Sequence, residues 1–306
     1  MITGVNDGGT LLAMGMKLPA VRALPAVVIL AVSAGVVPML VGTSVAGTFA
    51  HRLVSFHSGQ GRLAVAVAVI TAVVVVWILT ARGLPTSLTL AIIGAVSGAG
   101  LGFGFPIAWG LAGTVVLVGL AAPVIGGLAA HGLLRLAAFA RQPQAGRTLA
   151  TTHRVAFVLQ CLAYSANDGQ KMLAVFVVAS GFVGTSQPQV GLSTTLVLIV
   201  AFGVGVAVGL LRIGRLADRV LPADPFHAVT AEVAASAVVF VTALIGVPVS
   251  TTQAVAGGLV GAGMTHSYRR IRWRGVMTIT SAWLCTLPVV VALSAGCAVL
   301  IRIMLG

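Results

Sequence analysis

The sequence predicts an all-α polytopic membrane protein made of two inverted-topology repeats with re-entrant helical hairpins. Three observations lead there: long apolar runs nearly free of charge, two motifs that recur in the same order at nearly the same offset, and basic residues gathered on loops of one parity.

Of the 306 residues, 58% are apolar and only 8% charged, with a mean hydropathy of +1.11. Water-soluble domains do not reach that balance. Runs at 23–48, 108–134, 189–211 and 276–301 are each long enough to cross a hydrocarbon core of roughly 30 Å, which takes about 20 helical residues. Aromatics make up 6% and no alternating polar pattern is present, so helices are expected rather than a β-barrel. The net charge of +13 has no soluble basic domain, aromatic-studded RNA motif or zinc spacing beside it, and no nucleic-acid partner is expected. Basic loops facing an anionic inner leaflet explain it better. Cys161, Cys285 and Cys297 lie in apolar segments and are odd in number, which favours free thiols over disulfides. The first residues lack a basic region followed by an apolar core, so no cleavable signal is expected.

GVNDGGTLLA (4–13) parallels SANDGQKMLA (165–174), with Asn6 and Asp7 matching Asn167 and Asp168 at an offset of 161. GLPTSLTLAIIGAVSGAG (83–100) parallels GVPVSTTQAVAGGLVGAG (246–263) at an offset of 163, with 9 of 18 positions identical. Offsets that agree this closely indicate a duplicated unit of about 150 residues. The expected division is a first repeat over 1–140, a cytoplasmic linker over 141–152 and a second repeat over 153–306. Only three residues precede GVND, against about a dozen apolar residues before SAND, so the first repeat is expected to lack its N-terminal half-helix.

Each unit reads as an N-D segment, a span, a hairpin carrying a P-x-S-x-T element and a final span. With the repeats inverted, the inner loops are 17–22, 135–154, 212–227 and 267–274, holding 13 basic residues against 3 outside, with Arg82 and Lys171 at membrane depth. That asymmetry obeys the positive-inside rule and supports inversion. Hairpins are favoured over pairs of full spans at 63–103 and 228–267, because Pro85 and Pro248 break the helix where small hydroxyl residues cluster.

A proline followed by Ser and Thr is first of all an ordinary helix start. Two copies at matched positions suggest more: two half-helix N-termini meeting near the midplane, with unpaired N–H donors and positive dipole ends suited to an oxyanion. Ser87 and Thr89, with Ser250, Thr251 and Thr252, would add hydroxyl donors and Gln253 an amide. Asp7 and Asp168 are ionisable groups at membrane depth, which normally face a cavity, a partner or an ion path. A carboxylate with a neighbouring Asn oxygen suits a small cation such as Na⁺ or a proton; the alternative is a structural Asp paired with Lys171 or backbone donors. Lys171 would balance Asp168, sit near the anion or snorkel inward. Asp218 and Asp224 read as solvated loop acids, and Glu232 as a helix-start acid or, preferably, a cavity residue. Gly94, Gly98, Gly102, Gly257 and Gly261 fall at the four-residue spacing of close helix packing. The six histidines lack paired-ligand spacing, no nucleotide-binding loop is present, and neither a metal site nor a cofactor is expected.

SANDGQKM, VPVSTTQAVAGGLVGAG with the following RRIRWRGVMTITSAWLCTLP, GVNDGG and GLPTS together resemble the inorganic phosphate transporter (PiT) family over nearly the whole chain. The resemblance implies cation-coupled phosphate symport by inverted repeats in the inner (plasma) membrane. It places Asn6, Asp7, Asn167 and Asp168 on the cation side, and Ser87, Thr89, Ser250, Thr251 and Thr252 on the anion side, with Gln253, Gln170, Lys171 and Glu232 in support. Leu88 and Leu90 stand where the family's first-half element has Ser and His, and Gln253 replaces the second-half His.

The expected function is therefore a secondary transporter, not an enzyme, importing inorganic phosphate with H⁺ or Na⁺ by rocking or gating one repeat against the other. The alternatives are a sulfate or other oxyanion permease of the same family, and a transport-inactive homologue. An intramembrane lipid-phosphate phosphatase is disfavoured, because Glu232 is the only Glu and no Arg falls inside either P-x-S-x-T element. Whether the chain pairs as a homodimer is left open.

Overall fold

Apolar runs this long can satisfy their backbone polar groups in lipid only as helices or a closed barrel, and the chain takes the helical solution. The structure, a computed structural model, describes residues 1–15, 21–42, 44–56, 60–84, 86–139, 145–179, 191–213, 220 and 225–305. Lys17, Pro85, Arg141, Arg215, Arg219, Asp218, Asp224 and the 181–188 loop lie outside the described residues.

In the first repeat a π-helical turn (Gly4–Gly8) runs into α1 (Gly9–Gly15), followed by α2 (Ala23–Val41) and the short α3 (Ser44–Gly47), which ends in a second π turn (Thr48–Arg52). Then come α4 (Gly61–Ala81), α5 (Leu88–Phe103) and α6 (Trp109–Phe139). The second repeat holds α7 (Ala145–Tyr164), a π turn (Ser165–Gly169), α8 (Gln170–Ala179), α9 (Leu192–Ile213), α10 (Pro225–Leu244), α11 (Thr251–His266) and α12 (Trp273–Leu305). Six of these, α2, α4, α6, α9, α10 and α12, are long and apolar enough to cross a membrane. Their outward faces carry exposed Leu40, Leu117, Leu211 and Met304, as helices bathed in lipid do. The expected span 23–48 stops earlier, at Val41, because Gly42 takes φ +98° and turns the chain. Of the expected linker 141–152, the described part from Ala145 onward is already helix α7.

The two hairpins are α4–α5 and α10–α11. Their second arms have 16 residues each, about 24 Å of helix, short of a membrane's thickness. Their first arms end in matched left-handed glycines, Gly83 at φ +69° and Gly246 at φ +74°. A Cβ would be strained there, which is why glycine ends both arms.

The repeats interlock. The glycine stripe of α5 lies on α12: a Cβ on Gly98 would sit 2.5 Å from Val291 O and one on Gly102 2.4 Å from Ala298 Cβ. The matching stripe of α11 lies on α6, with Gly257 and Gly261 placing a Cβ 1.9 Å from Pro123 O and Gly127 O. Likewise the first N-D turn packs on α9, where Gly209 touches the Val5 backbone, and the second packs on α2, where Gly169 meets Ala34 O and Pro38. Each hairpin and each N-D turn is thus seated on a helix of the other repeat. A rigid movement of one whole repeat would have to break these backbone-close contacts.

Candidate functional site

Both N-D pairs sit on π turns, Gly4–Gly8 and Ser165–Gly169. The extra residue in such a turn leaves the regular hydrogen-bond ladder and re-aims side chains, a feature common at functional sites. Here it aims both asparagines at the hairpin tips. Asn167 Nδ2 donates to Val249 O at 2.8 Å and its Oδ1 accepts from the Val249 N–H at 3.2 Å. Asn6 does the same to Thr86, donating to its O at 2.9 Å and accepting from its N–H at 3.5 Å, with Thr80 Oγ1 adding 3.0 Å. Thr86 and Val249 correspond at the offset of 163 and each directly precedes its serine N-cap, Ser87 or Ser250. Each amide also donates to its neighbouring carboxylate, Asn6 to Asp7 Oδ1 at 2.8 Å and Asn167 to Asp168 Oδ2 at 3.0 Å. The asparagines, expected on the cation side, thus join each carboxylate to a tip.

The two tips meet. Thr89 Oγ1, in the first turn of α5, donates to Val249 O at 2.8 Å across 160 residues of chain. Into this junction comes Lys171, buried completely, whose Nζ reaches Asp168 Oδ1 at 2.7 Å, Thr89 Oγ1 at 2.7 Å and Val249 O at 2.6 Å. Thr251 Oγ1 completes the cluster by donating to Asp168 Oδ2 at 2.5 Å. Of the three roles open to Lys171, the geometry is that of a partner to Asp168. Three N–H donors meet three oxygens, the saturation a buried ammonium needs to offset desolvation. Thr89 and Thr251, expected on the anion side, make these bonds toward the ammonium and the carboxylate.

The first repeat differs. Asp7 is buried and, among the described residues, receives its hydrogen bond from Asn6. Leu88 stands in the place of Thr251, and Thr10 in that of Lys171, with its hydroxyl donating to Asn6 O at 2.9 Å. Asp7 lies within electrostatic reach of both Asp168 and Lys171. Two carboxylates and one ammonium sum, when ionised, to a negative site that attracts a cation.

On the anion side, Ser87 Oγ accepts from Leu90 N–H at 3.3 Å as an N-cap, whereas Ser250 Oγ pairs with Thr252 Oγ1 at 3.0 Å and makes no cap bond. The α11 N-terminus therefore keeps its donors for another acceptor. These hydroxyls are at most 4% exposed, closed between two cavities. One, of about 350 Å³, is apolar but reaches Lys171 and Leu88; the other, of about 570 Å³, reaches Gln253 and His131 between α6, α11 and α12. Gln253 Oε1 is buried without a hydrogen-bond partner among the described residues. Leu90 lies in the apolar core.

Gln170 is structural at its oxygen, which accepts from the Val45 and Ala46 N–H groups at 2.8 and 3.3 Å and so caps α3. Glu232 is fully buried in the body of α10 beside His153, 3.3 Å away on α7, off the tips. Sequence reasoning missed three groups: Tyr164, His153 and Gln160. Tyr164 is the most suggestive, because its buried hydroxyl has no partner among the described residues and it lies within electrostatic reach of both Asp7 and Asp168. The signal was present in AYSAND, a hydroxyl-bearing aromatic three residues before Asn167. Among the described residues no group of three His, Cys, Asp or Glu is placed to hold a metal.

Comparison with known proteins identifies the family. The phosphate transporter family model matches twice, over residues 3–157 and 140–294. A probable low-affinity inorganic phosphate transporter of Bacillus subtilis is 24% identical over 306 residues, covering 96% of this chain and 91% of its own. One of Rhizobium meliloti is 29% identical, covering 73% and 69%. A solved sodium-dependent phosphate transporter superposes with a TM-score of 0.82 at 19% identity, covering 99% of this chain and 96% of its own, and so shares the fold. Two copies of the family's unit, each with its N-D turn clamped to its own hairpin tip, make this multi-pass membrane protein a member of the phosphate transporter family.

Proposed function

We propose that the chain imports inorganic phosphate across the plasma membrane as a secondary symporter coupled to H⁺ or Na⁺. The observation that carries this reading is the Thr89–Val249 bond of 2.8 Å. It sets the N-termini of two half-helices at one point, an arrangement that favours an oxyanion. Ser87, Ser250, Thr252 and Gln253 supply polar groups for the phosphate. Asp7 and Asp168, held to the same tips by Asn6 and Asn167, supply the negative charge for the coupling cation. The division into repeats over 1–140 and 153–306 is part of this reading, and their inverted relation is supported by the basic inner loops.

The test is phosphate uptake by cells lacking their own uptake systems, repeated in proteoliposomes with an imposed H⁺ or Na⁺ gradient. Uptake driven by one gradient, lost in Asp7→Asn and undiminished by excess sulfate, is expected. Inhibition by sulfate would indicate the broader oxyanion permease. Absence of uptake in both systems would leave the transport-inactive homologue.

A further inference from the structure

Lys171 Nζ is held by a carboxylate oxygen, a hydroxyl oxygen and a backbone carbonyl oxygen at 2.6 to 2.7 Å. That is a hard-oxygen set of the kind that holds an alkali cation, drawn from three elements: the second N-D turn, α5 and the second hairpin tip. The internal symmetry gives this set a counterpart. Asp7 matches Asp168, Thr86 matches Val249 and Thr252, on α11, matches Thr89, so the same three oxygen types recur at the symmetry-related positions. The position of Lys171 is there taken by Thr10, whose hydroxyl turns back to its own helix at Asn6 O. The repeats thus share the oxygens and differ in the ammonium.

We propose that the Lys171 ammonium is a tethered substitute for a free cation in the second repeat, so that this half binds no coupling ion and Asp7 alone serves the ion that moves. The inference rests on the proposed symport, but its decisive measurement does not need transport. A fixed ammonium neutralises Asp168 and bridges both hairpin tips in every state of the cycle, as a bound ion would do only when present. Removing it re-creates a vacant oxygen site that a free cation can enter.

Lys171→Thr, which installs the first repeat's residue, and Lys171→Met, which keeps the stem, are purified in parallel in Na⁺ and in choline buffer. Equilibrium binding of radioactive Na⁺ and Na⁺-dependent thermal stability are then compared with the intact protein. The expected result is one additional Na⁺ bound per chain in at least one variant and a rise in Tm with Na⁺ that the parent lacks. The additional Na⁺ disappears when Asp168→Asn is added. The proposal is overturned if neither variant binds more Na⁺ than the parent, or if both are recovered only unfolded in Na⁺ as in choline. Failure of phosphate uptake by the parent would count against the proposed function, while the binding difference would still decide the role of Lys171.

Discussion

Asn167 grips both backbone polar groups of Val249, donating to its carbonyl at 2.8 Å and accepting from its N–H at 3.2 Å. One amide thereby stands in for a strand partner at a buried turn that no regular ladder serves. Through the Asn167 Nδ2 bond to Asp168 at 3.0 Å, it also fixes the carboxylate relative to the helix N-terminus.

Removing that clamp leaves the buried Val249 N–H unpaired, at a cost of about 1–3 kcal/mol, while Val249 O keeps its bonds from Lys171 and Thr89. Asn167→Ala is expected to lower Tm strongly in detergent and to abolish uptake. Asn167→Asp, which keeps an acceptor for the Val249 N–H but places a second carboxylate beside Asp168, is expected to fold better than Ala and still fail to transport. Thermal unfolding and uptake of the two variants check this pair.

Asp168→Asn strands a buried ammonium, whereas Asp7→Asn strands none. Breaking a buried pair from one side costs about 3–5 kcal/mol, while removing both partners is often neutral. Asp168→Asn is therefore expected to be clearly less stable than Asp7→Asn, and Asp168→Asn with Lys171→Met is expected to recover most of the loss. Melting of the three proteins side by side measures it.

Gly261→Ala drives a methyl group to 1.9 Å from Gly127 O, a contact only helix separation relieves. The expected loss is about 1–3 kcal/mol or more, with impaired uptake because α11 carries a tip. Gly113→Ala on α6 meets nothing within 4 Å and is expected to be neutral or stabilising by up to about 1 kcal/mol. The contrast in Tm between the two tests the packing.

Ser87 caps its helix and Ser250 does not. Ser87→Ala is expected to cost about 1 kcal/mol in stability. Ser250→Ala is expected to leave Tm nearly unchanged and to raise KM for phosphate, because its hydroxyl pairs with Thr252 rather than with the backbone. Uptake kinetics beside melting curves separate the two serines.

The membrane class, the helical spans, the duplicated unit and the N-D and P-x-S-x-T elements were all legible in the residues. Apolar run length and internal repetition are properties of the chain itself, independent of how it packs. The pairing of Asp168 with Lys171 was also within reach, since three residues on a helix place the two side chains on one face. What Asn6 and Asn167 hold was not, because their partners lie 80 and 82 residues away. Nor was the direction taken by Thr89, whose oxygen could serve an anion or an ammonium equally well until Lys171 was brought to it. The glycine stripes announced close packing, but only the fold decided that each repeat's stripe lies on the other's last helix. Sequence by itself determined the parts and their duplication, since those follow from local hydrophobicity and spacing. The tertiary structure alone decided that one copy of the site is closed by its own lysine and the other is not, because that depends on which oxygens converge across the two interlocked repeats.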